Sequence, residues 1–120
     1  MKNKIFLAVD FDATIADKIK GVLVLKESAK EALQKLKEAN CYILIDSNRA
    51  NSYRKKEGTV ERSLNEMKKF LDDNQVPYDA IVGLTFKVDG KPIADWYLGK
   101  NNIEVVNWKD IVKRLINKEI

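Results

Sequence analysis

The residues best suited to chemistry are Asp10, Asp12 and Thr14, in the run Lys4-Ile5-Phe6-Leu7-Ala8-Val9-Asp10-Phe11-Asp12-Ala13-Thr14-Ile15. The apolar part, residues 4–9, reads as a buried strand, and it ends abruptly in two acids one residue apart. In a parallel α/β sheet the carboxyl ends of the strands open onto the crevice where ligands bind. Two carboxylates followed by a hydroxyl at that place suit a nucleophile, an acid/base and a cation ligand. Phosphate chemistry is therefore the first chemistry they suggest. Phe11, between the acids, is expected by strand alternation to point away from them.

Composition narrows the alternatives. The 120 residues suffice for one compact domain, and 45% apolar with 33% charged residues is the balance of an ordinary globular protein. With no histidine, Ser-His-Asp and Cys-His catalysis are excluded, and acid/base work falls to carboxylates, lysines or tyrosines. The single cysteine, Cys41, can form no internal disulfide, and without histidine a zinc site is not expected. A reduced, cytoplasmic setting fits that usage. The apolar N-terminal run stops at Asp10, too short for a signal peptide or a membrane span, so no membrane association is expected. The net charge of +4 favours an anionic partner. Its lysines are spread along the chain without a dense arm or a recognised binding motif, so nucleic acid is disfavoured.

The elements that must position the acids follow from periodicity. Ser28 is the expected N-cap of a helix over residues 29–39, where Ala29, Ala32, Leu33, Leu36 and Ala39 recur at helical spacing and Asn40 ends the run. Cys41-Tyr42-Ile43-Leu44-Ile45 is a near-continuous apolar strand, the mark of burial on both faces. Residues 22–25 are either a flap strand or a turn into the next helix, and the polar, basic residues 48–58 read as a loop. Thr59 is the expected cap of a helix through Asp73 with Leu64, Met67, Phe70 and Leu71 inward. Strands are expected near residues 80–83, 95–98 and 103–106. Asn107 and Asp110 form a capping pair for a last helix carrying Ile111, Val112, Leu115 and Ile116. Strands alternating with helices predict an α/β class with a mostly parallel sheet, in one domain over residues 1–120. Trp96 and Trp108 are read as core or strand-flanking residues.

Three further features agree in position with the paired acids. Ser47 follows the second buried strand, in Ile45-Asp46-Ser47-Asn48-Arg49, Lys91 precedes the strand over 95–98, and Ala94-Asp95-Trp96-Tyr97 leads into it. Together these resemble the haloacid dehalogenase (HAD) superfamily of phosphohydrolases, in its small, nearly capless members, over nearly the whole chain. The resemblance implies a single Rossmann-like HAD domain with a mostly parallel five-stranded sheet flanked by helices and no substantial cap. It also implies Asp10 as nucleophile, Asp12 as acid/base, Ser47 and Lys91 as holders of the phosphoryl oxygens, and a Mg²⁺ ion at Asp10 and Asp12. Arg49 matches a position that is frequently arginine in such proteins, and with Asn48 it joins the implied phosphate-binding loop. A cation there would relieve the repulsion between carboxylate and phosphate, while Lys91 and Ser47 stabilise the equatorial oxygens.

The match then departs from the pattern. Lys91-Pro92-Ile93-Ala94-Asp95-Trp96-Tyr97-Leu98 resembles the subgroup that ends this strand in two adjacent acids, but Gly99 and Lys100 stand there. Those acids complete the cation site in the family, so Mg²⁺ binding is expected to be weakened, with Lys100 a fixed countercharge that still attracts phosphate. Asp95, Glu104 or Asp110 is the alternative source of the missing acid. Ala13 replaces the usual glycine, a smaller departure. The favoured reading is a HAD-like protein that binds a phosphorylated small molecule of the nucleotide or nucleotide-derived signal class, with catalysis weak or lost. The alternative is an active Mg²⁺-dependent phosphohydrolase working through an aspartyl-phosphate on Asp10. A third is a basic nucleic-acid or protein interaction domain on the same scaffold. The only cap candidates are residues 15–26 and 48–58, so little that a homodimer partner is expected to close the pocket.

Overall fold

The structure, a computed structural model, describes residues 4–47, 49, 59–84, 93–99 and 107–117. Chain order is β1 (Ile5–Val9), β2 (Ala16–Ile19), β3 (Val22–Leu25), α1 (Ala29–Glu38), β4 (Cys41–Ile45), α2 (Thr59–Asp73), β5 (Ala80–Ile81), β6 (Trp96–Leu98) and α3 (Trp108–Asn117). The main sheet has the order β5-β4-β1-β6, and every neighbouring pair is parallel. Four strands of this sheet lie among the described residues. The predicted strand over 103–106 lies outside them, as do Asn48, Lys91 and Lys100.

The strand order places β1 at a reversal. From β1 the chain moves to β4 and then β5 on one side, and later returns to β6 on the other. A crevice forms at such a point, above the carboxyl end of the central strand. Parallel register aligns the inward side chains: Leu7 with Ile43, and Val9 with both Ile45 and Leu98. These residues join Ala32, Leu33 and Leu36 of α1, Leu64, Met67 and Leu71 of α2, and Trp108, Ile111 and Leu115 of α3 in one core. Leu44, Ala80 and Val82, of opposite parity, form a smaller cluster beside Tyr42 on the other face. Burial on both sides explains the unbroken apolar run of β4. Trp108 is buried in the main core, and Trp96 packs against it.

Two local expectations change. Residues 22–25 are a strand, and residues 16–19 unexpectedly form its partner in an antiparallel hairpin, β2–β3. Lys20 and Gly21 link them with φ +51° and +80°, the double positive φ of a type I′ turn that matches strand twist. Ser28 stands at the start of α1 but does not cap it with its side chain. A capping hydroxyl needs extended backbone at that residue, whereas Ser28 is left-handed, at φ +65°. Its carbonyl instead accepts the first helical bond, from the Ala32 amide at 2.9 Å. Asn107 does cap α3: its Oδ1 accepts from the amides of Lys109 at 2.9 Å and Asp110 at 3.4 Å.

Candidate functional site

The site is built by three strand ends that lie side by side. Beyond Val9, Ile45 and Leu98 the backbone stays laced together: the Asp10 amide donates to the Leu98 carbonyl and the Asp46 amide to the Val9 carbonyl, each at 2.9 Å. Ser47 and Gly99 are thereby carried to either side of the segment bearing Asp10 and Asp12. Asp10 is half-buried, and its Oδ1 accepts from the next amide, that of Phe11, at 2.8 Å. Phe11 turns into the core as alternation predicts, fully buried with its ring edge-on to Phe70.

After Phe11 the chain folds into a tight turn. The Phe11 carbonyl accepts from the amides of Thr14, Ile15 and Ala16, at 3.1, 2.8 and 3.2 Å. Ala13 takes φ +65° to make this turn, which explains why a glycine suits the position. Left-handed backbone costs an alanine about 1–2 kcal/mol, partly offset by the larger unfolded-state entropy of glycine. Ala13→Gly is therefore expected to raise stability by about 0.5–1 kcal/mol, read as a higher urea midpoint with an unchanged slope.

Asp12 is held by a buried cation. The Arg49 guanidinium forks onto it, Nε to Oδ2 and Nη2 to Oδ1, both at 2.9 Å. Nη1 turns the other way, to Glu66 Oε1 at 2.8 Å and to the Ser63 carbonyl and hydroxyl at 3.1 and 3.2 Å on α2. The Phe11 ring lies 5.3 Å below the guanidinium carbon, a cation–π contact. The Asp12 hydrogen bonds raise the Arg49 pKa further, and the Arg49 hydrogen bond holds the Glu66 carboxyl below the usual carboxylate range. Ser47 is buried, and its Oγ accepts from the Arg49 amide at 3.1 Å, which leaves the hydroxyl its own proton to donate.

Gly99 closes the other side of Asp10. Its φ is +134°, and a Cβ placed there would stand 2.5 Å from Asp10 Cβ and 3.0 Å from Thr14 Oγ1. No side chain fits at this position without moving the backbone beneath Asp10.

Of the residues singled out from the sequence, Asp10, Asp12, Ser47 and Arg49 come together at this edge. Asn48, Lys91 and Lys100 belong to the chain outside the described residues. Asp95 is not a neighbour of the acids. It is bound to Phe6, its Oδ2 accepting from the Phe6 amide at 2.7 Å and its own amide donating to the Phe6 carbonyl at 2.8 Å. Phe6 lies four residues before Asp10 along β1, about 13 Å away. Asp110 is exposed in the first turn of α3. Sequence reasoning missed Glu66 and Ser63. Their only signal is a spacing of three, which puts them on one side of α2.

No model of a protein family matches the chain, and no curated protein does. Among solved structures, a conserved protein coded by a locus of Bacteroides thetaiotaomicron is similar, with a TM-score of 0.71 at 20% identity. The similarity covers 97% of this chain and 93% of that one. The two chains share a fold. The α/β arrangement with its central parallel strand is thus one that another protein adopts nearly end to end.

The donor set can be weighed against the Mg²⁺ that the HAD resemblance implies. Both side-chain oxygens of Asp12 are engaged by Arg49, and position 99 offers no side chain. Among the described residues no three histidine, cysteine, aspartate or glutamate side chains are grouped to hold a metal. Mg²⁺ wants six oxygens in near-ideal octahedral geometry, and the described side chains do not fit a tightly held ion.

Proposed function

We propose that this chain binds a phosphorylated small molecule, of the nucleotide or nucleotide-derived class, at the carboxyl edge of β1 in a HAD-like site that has lost efficient turnover. The observation that carries the reading is the packing of Gly99 against Asp10, at a place where the resemblance implies a metal-binding acid. The backbone there has closed over the room such a side chain needs. Ser47 supplies a hydroxyl to a phosphoryl oxygen, and Lys91 and Lys100 supply positive charge. Arg49 neutralises Asp12, which lowers the repulsion an incoming phosphate meets from this segment.

One observation favours the second reading, an active phosphohydrolase. Asp10 is retained and Asp12 is oriented by a buried fork, more than a simple receptor requires. Asp10→Asn separates the two. For a receptor, removing this charge leaves affinity for inorganic phosphate unchanged or raises it by up to about tenfold, measured by titration calorimetry. Complete loss of a Mg²⁺-dependent turnover present in the unmodified protein would establish the enzyme instead.

A further inference from the structure

The turn that carries Asp12 is stabilised from within by the Phe11 carbonyl, but the Thr14 carbonyl points out of that internal set. Thr14 is buried, so its carbonyl needs a donor. The donor comes from the far end of the chain. The indole Nε1 of Trp108 reaches the Thr14 carbonyl at 2.7 Å, across 94 residues of sequence. Trp108 is itself buried, at 2% exposure, and opens α3 directly after the Asn107 cap. An indole has one N–H and no acceptor, so this bond fixes a single direction. The side chain of the same Thr14 stands against Gly99, beside Asp10.

We infer that Trp108 is a positioning residue of the ligand site: through the Thr14 carbonyl it sets the height of the turn that presents Asp12 next to Asp10. The inference rests on the proposed phosphate site for its functional half, while the bracing of the turn stands apart from it. The start of α3 is in this account part of the site's architecture. The bond couples the start of α3 to the turn that carries Asp12 beside Asp10. Asp12 is then gripped from two directions, by Arg49 through its carboxylate and by Trp108 through the backbone two residues on.

Trp108→Phe removes the N–H and keeps most of the ring, and Leu115→Ala serves as control by loosening the same helix away from the turn. Two readouts are taken on the full chain: hydrogen exchange at the amides of Ala13, Thr14, Ile15 and Ala16, and calorimetric affinity for inorganic phosphate. Loss of one buried hydrogen bond is expected to speed exchange of these amides by about tenfold and to weaken phosphate binding by about fivefold in Trp108→Phe. Leu115→Ala, compared at equal fraction folded, is expected to change neither. Unchanged exchange in Trp108→Phe, or equal effects in both variants, would overturn the brace. Faster exchange with unaltered phosphate affinity would overturn the positioning role. Should the unmodified protein bind no phosphate, the proposed function fails, while the exchange rates still decide whether Trp108 braces the turn.

Discussion

Gly99→Ala is expected to destabilise the protein by about 3–5 kcal/mol and to abolish anion binding. Two costs combine at this position. The φ of +134° is open to glycine and strained for any other residue, a cost of about 1–3 kcal/mol. The added Cβ would stand 2.5 Å from Asp10 Cβ, and 3.6 Å from Asp10 Cα, so relief requires the backbone of β1 to move rather than a side-chain tip. Overpacking of that kind costs about 1–3 kcal/mol more. Gly21→Ala is the matched control. It too has positive φ, +80°, but an added Cβ there meets no atom within 4 Å, so only about 1 kcal/mol is expected. Chemical denaturation of the pair separates collision from strain. Equal stability losses at the two glycines would mean that Gly99 is not pressed against Asp10. The same geometry implies that Gly99→Asp, which places an acid where the resemblance implies one, does not create a Mg²⁺ site.

Arg49→Ala is expected to cost about 2–3 kcal/mol. The guanidinium is nearly buried and serves Asp12, Glu66 and Ser63 at once, with the Phe11 ring beneath it. Breaking a fully buried pair costs about 3–5 kcal/mol because a charge is left without a partner. Here the Asp12 and Glu66 side chains are 49% and 51% exposed, so water recovers part of their loss and the figure falls. Thermal unfolding should show a drop of about 6–12 °C. Arg49→Lys is expected to recover less than half of it, since one compact ammonium cannot fork onto Asp12 while reaching α2. The Glu66 pKa is lowered in the folded state, so its share of the stabilisation is present above its ordinary range and lost on acidification. The gap between Arg49→Ala and the unmodified protein should accordingly narrow as pH falls through the carboxylate range. Full rescue by lysine would contradict the fork.

The parts of this fold that were legible from sequence are those with a local signature. The apolar runs of β1 and β4 and the helical spacing of α2 and α3 marked elements whose inward faces are those predicted, except that Ile116 of α3 is exposed. The carboxyl end of β1 stood out as a candidate site because acids directly followed an apolar strand, and the fold brings Asp10, Asp12, Ser47 and Arg49 together there. What escaped has no local signature. Ala-Asp-Lys-Ile at β2 carries no strand pattern of its own, and it becomes a strand because the Lys20-Gly21 turn folds β3 back onto it. Ser28 has the right side chain for a cap and the wrong backbone angle. The counterions of Arg49 lie 37 and 17 residues away, joined only once the sheet and α2 are assembled. Gly99 stood out in the sequence only as a residue where the resemblance implies an acid, whereas its closeness to Asp10 is a property of the folded chain.

The central claim is recognition of a phosphorylated ligand without efficient turnover. Its most direct test is phosphate release from a panel of nucleotides and sugar phosphates, with and without Mg²⁺, combined with mass spectrometry of ligand retained on the protein. The expected result is intact phosphorylated ligand retained on the protein and no release that depends on Mg²⁺. Mg²⁺-dependent release that Asp10→Asn abolishes would contradict it and make the protein a phosphohydrolase.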